Sequence, residues 1–226
     1  MSKKLIVRLS LDAALFVLYL VALGERATGG LAHEIIGVIL LLLVLAHNVL
    51  NFRWFAGLSK GRHDTLRIIA TVTDFLLIIF MLLLALSAIM ISQELFSLLN
   101  FGNFFDGRML HTFAAGWGLL LIGFHLGLHW RMAIGAAKKL TKLKENKVRT
   151  CILRVLVLLI SIFGIYAFIA LELYEKLFLL STYSSGNTEW YILYPELAGI
   201  AVLFAAIGHY LTVIVNKNRN KVSKEN

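Results

Sequence analysis

Apolar residues along this chain come in long unbroken blocks, separated by short polar or basic stretches. Six blocks stand out: about Leu5 to Leu23, His33 to Phe55, Leu66 to Ile91, His111 to Ile134, Cys151 to Tyr174 and Leu197 to Val215. A helix rising ~1.5 Å per residue needs ~20 residues to cross a ~30 Å hydrocarbon core. The runs are continuous rather than alternating, which is not the pattern of barrel strands, and in lipid each backbone group needs an internal partner. The blocks therefore predict an all-α fold, an integral membrane bundle of six transmembrane helices. A single membrane domain over residues 1–226 is expected, because the polar segments between blocks are too short to build a soluble core.

Composition agrees with the pattern. Hydrophobic residues make up 59% and charged residues 15%, with a mean hydropathy of +0.82; a soluble domain carries about 25% charged residues. The net charge of +9 would fit a nucleic-acid partner, but its placement argues against one. Of the 22 Lys and Arg, all but Arg26, Arg108 and Lys176 fall at the N-terminus, after spans two and four, or at the C-terminus. This positive-inside distribution places both termini in the cytoplasm. The run from Arg131 through Lys138, Lys139, Lys142, Lys144, Lys147 and Arg149 to Arg154 becomes a cytoplasmic link suited to anionic lipid. The N-terminus has the basic start and apolar centre of a signal peptide but no small-residue cleavage site, so an uncleaved first span is expected. The lone Cys151 excludes an internal disulfide and any multi-cysteine metal or iron–sulfur site.

Candidate chemistry lies in the histidines. Two copies of His-x13-His occur, His33 with His47 and His111 with His125. Fourteen helical residues rise roughly 21 Å and return to within ~40° of the same face. Each helix thus carries two imidazoles on one side, one toward each membrane surface, and ionisable groups in a membrane are rare and functional by default. The repeat is broader than the histidines, covering about residues 31–55 and 109–133. An aromatic recurs five positions after the second His (Phe52, Trp130) and an Arg at the next (Arg53, Arg131), while the position four after it is Asn51 in one copy and His129 in the other. One span separates the copies, so their helices run parallel and the four imidazoles form two levels, His33 with His111 and His47 with His125. First-row metals usually take three or four ligands, often mixed. Two facing imidazoles per level suit bis-axial haem b, two haems in all. Gly37 and Ala46 in span two, and Gly116, Gly118, Gly123 and Gly127 in span four, would make room for the ring. Equally, small residues are ordinary at membrane helix contacts. Arg53 and Arg131 would pair haem propionates or serve as snorkelling anchors.

The second copy, His111 through Gly116 to His125-x3-His129-Trp130-Arg131, resembles the repeat of the flavinylation-associated cytochromes, small bacterial membrane proteins of cytochrome b-like architecture. The first copy, with Thr28-Gly29, His33-Glu34-x2-Gly37, His47 and Arg53-Trp54, resembles the same unit and departs from it at Asn51. The resemblance spans roughly residues 5–134, a four-helix haem-binding core, and leaves two additional helices over 151–216 outside it. It implies a bacterial cytoplasmic membrane protein, oxidoreductase-like, that moves electrons through haem b between quinone or quinol and an extracytoplasmic flavoprotein or other redox partner. His33, His47, His111 and His125 are the implied ligands, as in the similar pair of respiratory cytochrome b. Two other expectations stand beside this one: a haem-bearing anchor subunit of a larger oxidoreductase, and a His-relay proton-coupled transporter.

The other polar groups in the spans have humbler readings available. His129 could replace His125 opposite His47, bind a propionate or line a quinone pocket. His209 reads as a histidine bonded within the bundle, or as a quinone-site group; His63, in a polar loop, reads as solvated. Thr188-Glu189-Trp190-Tyr191 with Tyr194-Pro195-Glu196 faintly resembles the outer quinol-site segment of cytochrome b, though aromatic residues also belong at membrane interfaces. Asp74 and Glu172 are further membrane carboxylates, Asp74 a proton entry point or a helix-start charge.

Overall fold

The computed structural model describes residues 3–58, 60, 64–99, 103–141, 146–180 and 189–225. His63, Lys142, Lys144 and Thr188 lie outside the described residues. In chain order the helices are α1 (Lys3–Ala22), α2 (Glu25–Thr28), α3 (Gly30–Leu50), α4 (Arg53–Gly57), α5 (Thr65–Ile91), α6 (Phe104–Leu128), α7 (Trp130–Thr141), α8 (Lys147–Ala170), α9 (Leu173–Leu177) and α10 (Trp190–Glu225). Six of them, α1, α3, α5, α6, α8 and α10, belong to spans long and apolar enough to cross a membrane. The described residues contain no strand.

Side-chain caps start several spans where the sequence turns polar. Asp64 accepts from the Arg67 amide at 2.9 Å, Asn103 from Phe105 at 3.0 Å and Asn146 from Val148 at 2.8 Å, each satisfying an amide that lacks a partner in the helix. Gly29 separates α2 from α3 with φ +81°, a conformation open to glycine without strain. Both repeat copies end their helix at the same place. The fourth span, expected to run to Ile134, stops at Leu128 with His129 as its C-terminal cap; in the second, α3 ends at Leu50 with Asn51 as its cap, and α4 carries the span past Phe55 to Gly57. Asn51 donates from its side chain to the His47 carbonyl at 2.9 Å, and the His129 amide reaches the His125 carbonyl at 3.1 Å. The sixth span begins earlier than Leu197, at Trp190, with Pro195 inside the helix, where its ring leaves the Tyr191 carbonyl without the usual amide donor.

Ion pairs and caps collect four helix ends on one face. Arg8 donates to the Leu50 carbonyl, Arg67 to the carbonyls of Lys60 and Gly57, and Arg219 pairs with Asp64 at 2.9 Å. The start of α1, the end of α3, the start of α5 and the end of α10 therefore share a basic face. The level of the bundle nearer this face is the inner level, and the opposite one the outer level.

Helix α6 is the centre of the packing, lying between α5 and α10, while α10 also packs on α8 and α3 leans on α1. Glycines set the α6–α10 distance. A Cβ on Gly123 would meet the Ala201 carbonyl at 2.6 Å, one on Gly127 would overlap the Ala205 carbonyl, and one on Gly208 would meet the Phe124 carbonyl at 2.5 Å. Gly164 and Gly199 bring α8 and α10 together in the same way. This is the close approach that small residues allow in membrane bundles. It corrects the expectation that the span-four glycines make room for a ring: Gly123 and Gly127 seat α10, Gly116 faces Leu177, and Gly118 faces the Tyr19 hydroxyl. The spans outside the family resemblance thus buttress the back of α6.

Candidate functional site

On its other side α6 borders a cavity of about 430 Å³ between α1, α3 and α5, within the range of pockets that hold small molecules and cofactors. Its walls are mainly apolar, with Tyr19, Gly37, Leu40, Met81, Leu84 and Ala88 among them, and Gly37 is the one expected ring-spacing residue that lines it. Tyr19, 3% exposed, braces the wall by donating to the Ala115 carbonyl at 2.9 Å. At the outer end the lining becomes polar, with Glu25, Glu34, Gln93, Glu94, Arg108 and Thr112. Glu34 ties α3 to the turn after α5, accepting from the Ser92 hydroxyl at 2.8 Å and from the amides of Gln93 at 2.9 Å, Glu94 at 3.3 Å and Leu95 at 2.8 Å.

His33 and His111 meet at this cavity with ring centroids 5.9 Å apart and planes at 72°. The expected outer level is therefore present, and the two repeat helices run parallel as anticipated. Ser87, fully buried, donates to the Leu84 carbonyl at 3.0 Å, so its oxygen accepts from His111 Nδ1 at 3.1 Å. With the Ser87 proton directed to Leu84, His111 Nδ1 is the donor and Nε2 keeps its lone pair. His33 Nδ1 is buried with no hydrogen-bond partner.

The inner level gathers more groups than the repeat implied. His47 Nδ1 lies 2.8 Å from Asp12 Oδ1, and His125 Nδ1 lies 2.8 Å from Asp74 Oδ1. Each carboxylate comes from the span preceding its histidine, so the repeat is a helix pair, α1 with α3 and α5 with α6. The residues four positions on fold back in both copies. Asn51 Nδ2 sits 3.4 Å from His47 Nε2, and the His129 ring packs on His125 with centroids 4.7 Å apart. Asp74, His125 and His129 bring ligand atoms within 4.8 Å of one another, and His129 also feels the charges of Asp12 and His47. Asp12 escaped the sequence reading, although a carboxylate inside an apolar block was a signal. Ser87 gave none, since serine is unremarkable in a span.

The remaining expected residues are placed as follows. Arg53 and Arg131 are exposed at the starts of α4 and α7, away from the cavity. Arg108 is the arginine that lines it. His209 Nδ1 is buried without a partner, its ring 5.4 Å from Tyr210 and its charge neighbours Arg131 and Arg154. Trp190 and Tyr191 are about 60% exposed at the start of α10, whereas Glu196 is buried with Oε2 unpartnered. Glu172 is not in a spanning helix: α8 ends at Ala170, and Glu172 adopts φ 48° in the turn before α9. Beside it, Lys176 is held below the usual lysine range by burial and then by Arg26, with Glu172 and Glu175 opposing.

The chain matches no protein-family model, and no curated protein or solved structure shows significant similarity to it.

Proposed function

We propose that this multi-pass helical membrane protein is a dihaem b-type cytochrome, with His33 and His111 holding one haem and His47 and His125 the other. The observation that carries the reading is the outer pair. Metal–imidazole bonds are about 2.0–2.1 Å, and a ring centre lies about 1 Å behind its nitrogen, so two imidazoles across one metal have centroids about 6 Å apart. The 5.9 Å between His33 and His111 fits that arrangement. A mainly apolar cavity between the helices fits a porphyrin. Ligating histidines typically give their other ring N–H to a neighbouring acceptor, as His47, His125 and His111 do to Asp12, Asp74 and Ser87.

Bound haem would supply one-electron chemistry; the chain supplies ligation, spacing and a low-dielectric sheath. The two levels stand about 21 Å apart along the helices by their fourteen-residue step. Such a stack suits electron transfer across the bilayer, between quinone or quinol and an extracytoplasmic flavoprotein or haem partner, with the basic face in the cytoplasm of a bacterial cell. A dithionite-reduced minus oxidised spectrum with pyridine-haemochrome quantification tests this. About two haems b per chain are expected, and none in protein made with ample haem overturns it.

A second reading applies to the inner level alone. Asp74, His125 and His129 form a mixed oxygen and nitrogen set of the kind first-row divalent metals accept. Metal analysis of the same sample separates the two: one haem plus about one zinc-like ion per chain favours the mixed site.

A further inference from the structure

We propose that the two levels are built to hold haem at different potentials, the inner one lower, with Asp12 and Asp74 as the positioning residues that create the difference. The inference rests on the dihaem reading above. At the inner level both histidines give Nδ1 to a carboxylate at 2.8 Å. At the outer level His111 gives Nδ1 to a neutral hydroxyl at 3.1 Å, and His33 Nδ1 has no partner. A carboxylate drawing on the Nδ1 proton makes the opposite nitrogen a stronger donor, which favours ferric over ferrous iron. The two negative charges act in the same direction across a low-dielectric interior.

The carboxylate bonds to both inner imidazoles set the order of the levels. With haem held by these histidines, one electron at a time would pass from the inner level, bonded to Asp12 and Asp74, to the outer level at His33 and His111. A quinol would then deliver electrons near the basic face, and a flavin- or haem-bearing acceptor would collect them at the polar outer mouth beside Arg108. With the basic face in the cytoplasm, the protein reduces an extracytoplasmic acceptor rather than draining a donor there.

The test is a potentiometric titration of the purified holoprotein, followed at the haem α-band and by low-temperature electron paramagnetic resonance. Wild type should give two one-electron components of unequal potential. His33→Ala leaves both Asp–His pairs in place and should remove the higher component. Asp12→Asn and Asp74→Asn should each raise the lower component by at least a tenfold change in the oxidised-to-reduced ratio, 59 mV for one electron, with the higher component little moved. Asp74→Glu should recover most of the shift. Loss of the lower component in His33→Ala overturns the ordering, and does so even if the Asn variants fail to fold. Asn variants that retain two haems at unchanged potentials overturn the role of the carboxylates while the dihaem reading stands. A wild-type chain without haem removes both.

Discussion

His33 and His111 belong to helices separated by a whole span, yet their rings face each other at 5.9 Å across the outer cavity. The approach leaves His33 Nδ1 buried with no hydrogen-bond partner, and an unsatisfied buried group costs about 1–3 kcal/mol. A ligand between them would repay this. His111→Ala should therefore lower haemochrome stoichiometry from about two to about one per chain, leaving the fold and the second haem in place. An unchanged count would remove His111 from the ligand set.

Ser87 is the outer counterpart of the two carboxylates, fixing which nitrogen of His111 carries the proton. Loss of such a supporting group typically weakens metal affinity 10–100-fold. Ser87→Ala should keep the haem on purification but release it to a haem-scavenging globin 10–100 times faster than wild type.

The spans were legible in the sequence because lipid leaves few alternatives: a block of about 20 apolar residues must close its backbone bonds within itself. The pairing of His33 with His111 was legible from the matched spacing of the two copies. The helix ends at Asn51 and His129 were not, since they depend on side-chain and backbone bonds that apolar patterning does not encode. The partnership of Asp12 with His47 required knowing that α1 packs on α3. Glycine was ambiguous in principle: Gly37 lines a cavity and Gly127 seats a helix, and a one-dimensional pattern cannot separate these uses.

That ambiguity gives a contrast. A methyl group at Gly127 would collide with the Ala205 carbonyl, a backbone atom that cannot turn aside, whereas one at Gly37 meets nothing within 4 Å. Overpacking of this kind costs about 1–3 kcal/mol. Gly127→Ala should lower the thermal midpoint in detergent by several degrees and loosen α10 from α6, while Gly37→Ala should be close to neutral. Gly37→Phe should keep wild-type stability yet lose the outer haem, because the ring would occupy the cavity.

Glu34 closes the outer end by accepting from Ser92 and from three successive amides. Hydrogen bonds to a charged group are worth about 1.5–3 kcal/mol each in the net. Glu34→Ala should free the turn over residues 92–95, seen as faster amide hydrogen exchange there and faster haem release from the outer level only. Equal protection in the variant would show that the turn holds without α3.

His129 is the residue for which sequence allowed the most roles. Its repeat mate Asn51 occupies the same cap position and touches His47 as His129 touches His125. An amide is a poor substitute for an imidazole as a haem ligand, so on the dihaem proposal a position that is Asn in one copy would support the neighbouring histidine rather than ligate in its place. The Asp74 bond to Nδ1 leaves Nε2 of His125 available. His129→Asn, which makes the second copy like the first, should retain about two haems per chain, and His125→Asn should lose the inner one. The opposite result, one haem in His129→Asn and two in His125→Asn, would transfer the ligand role to His129.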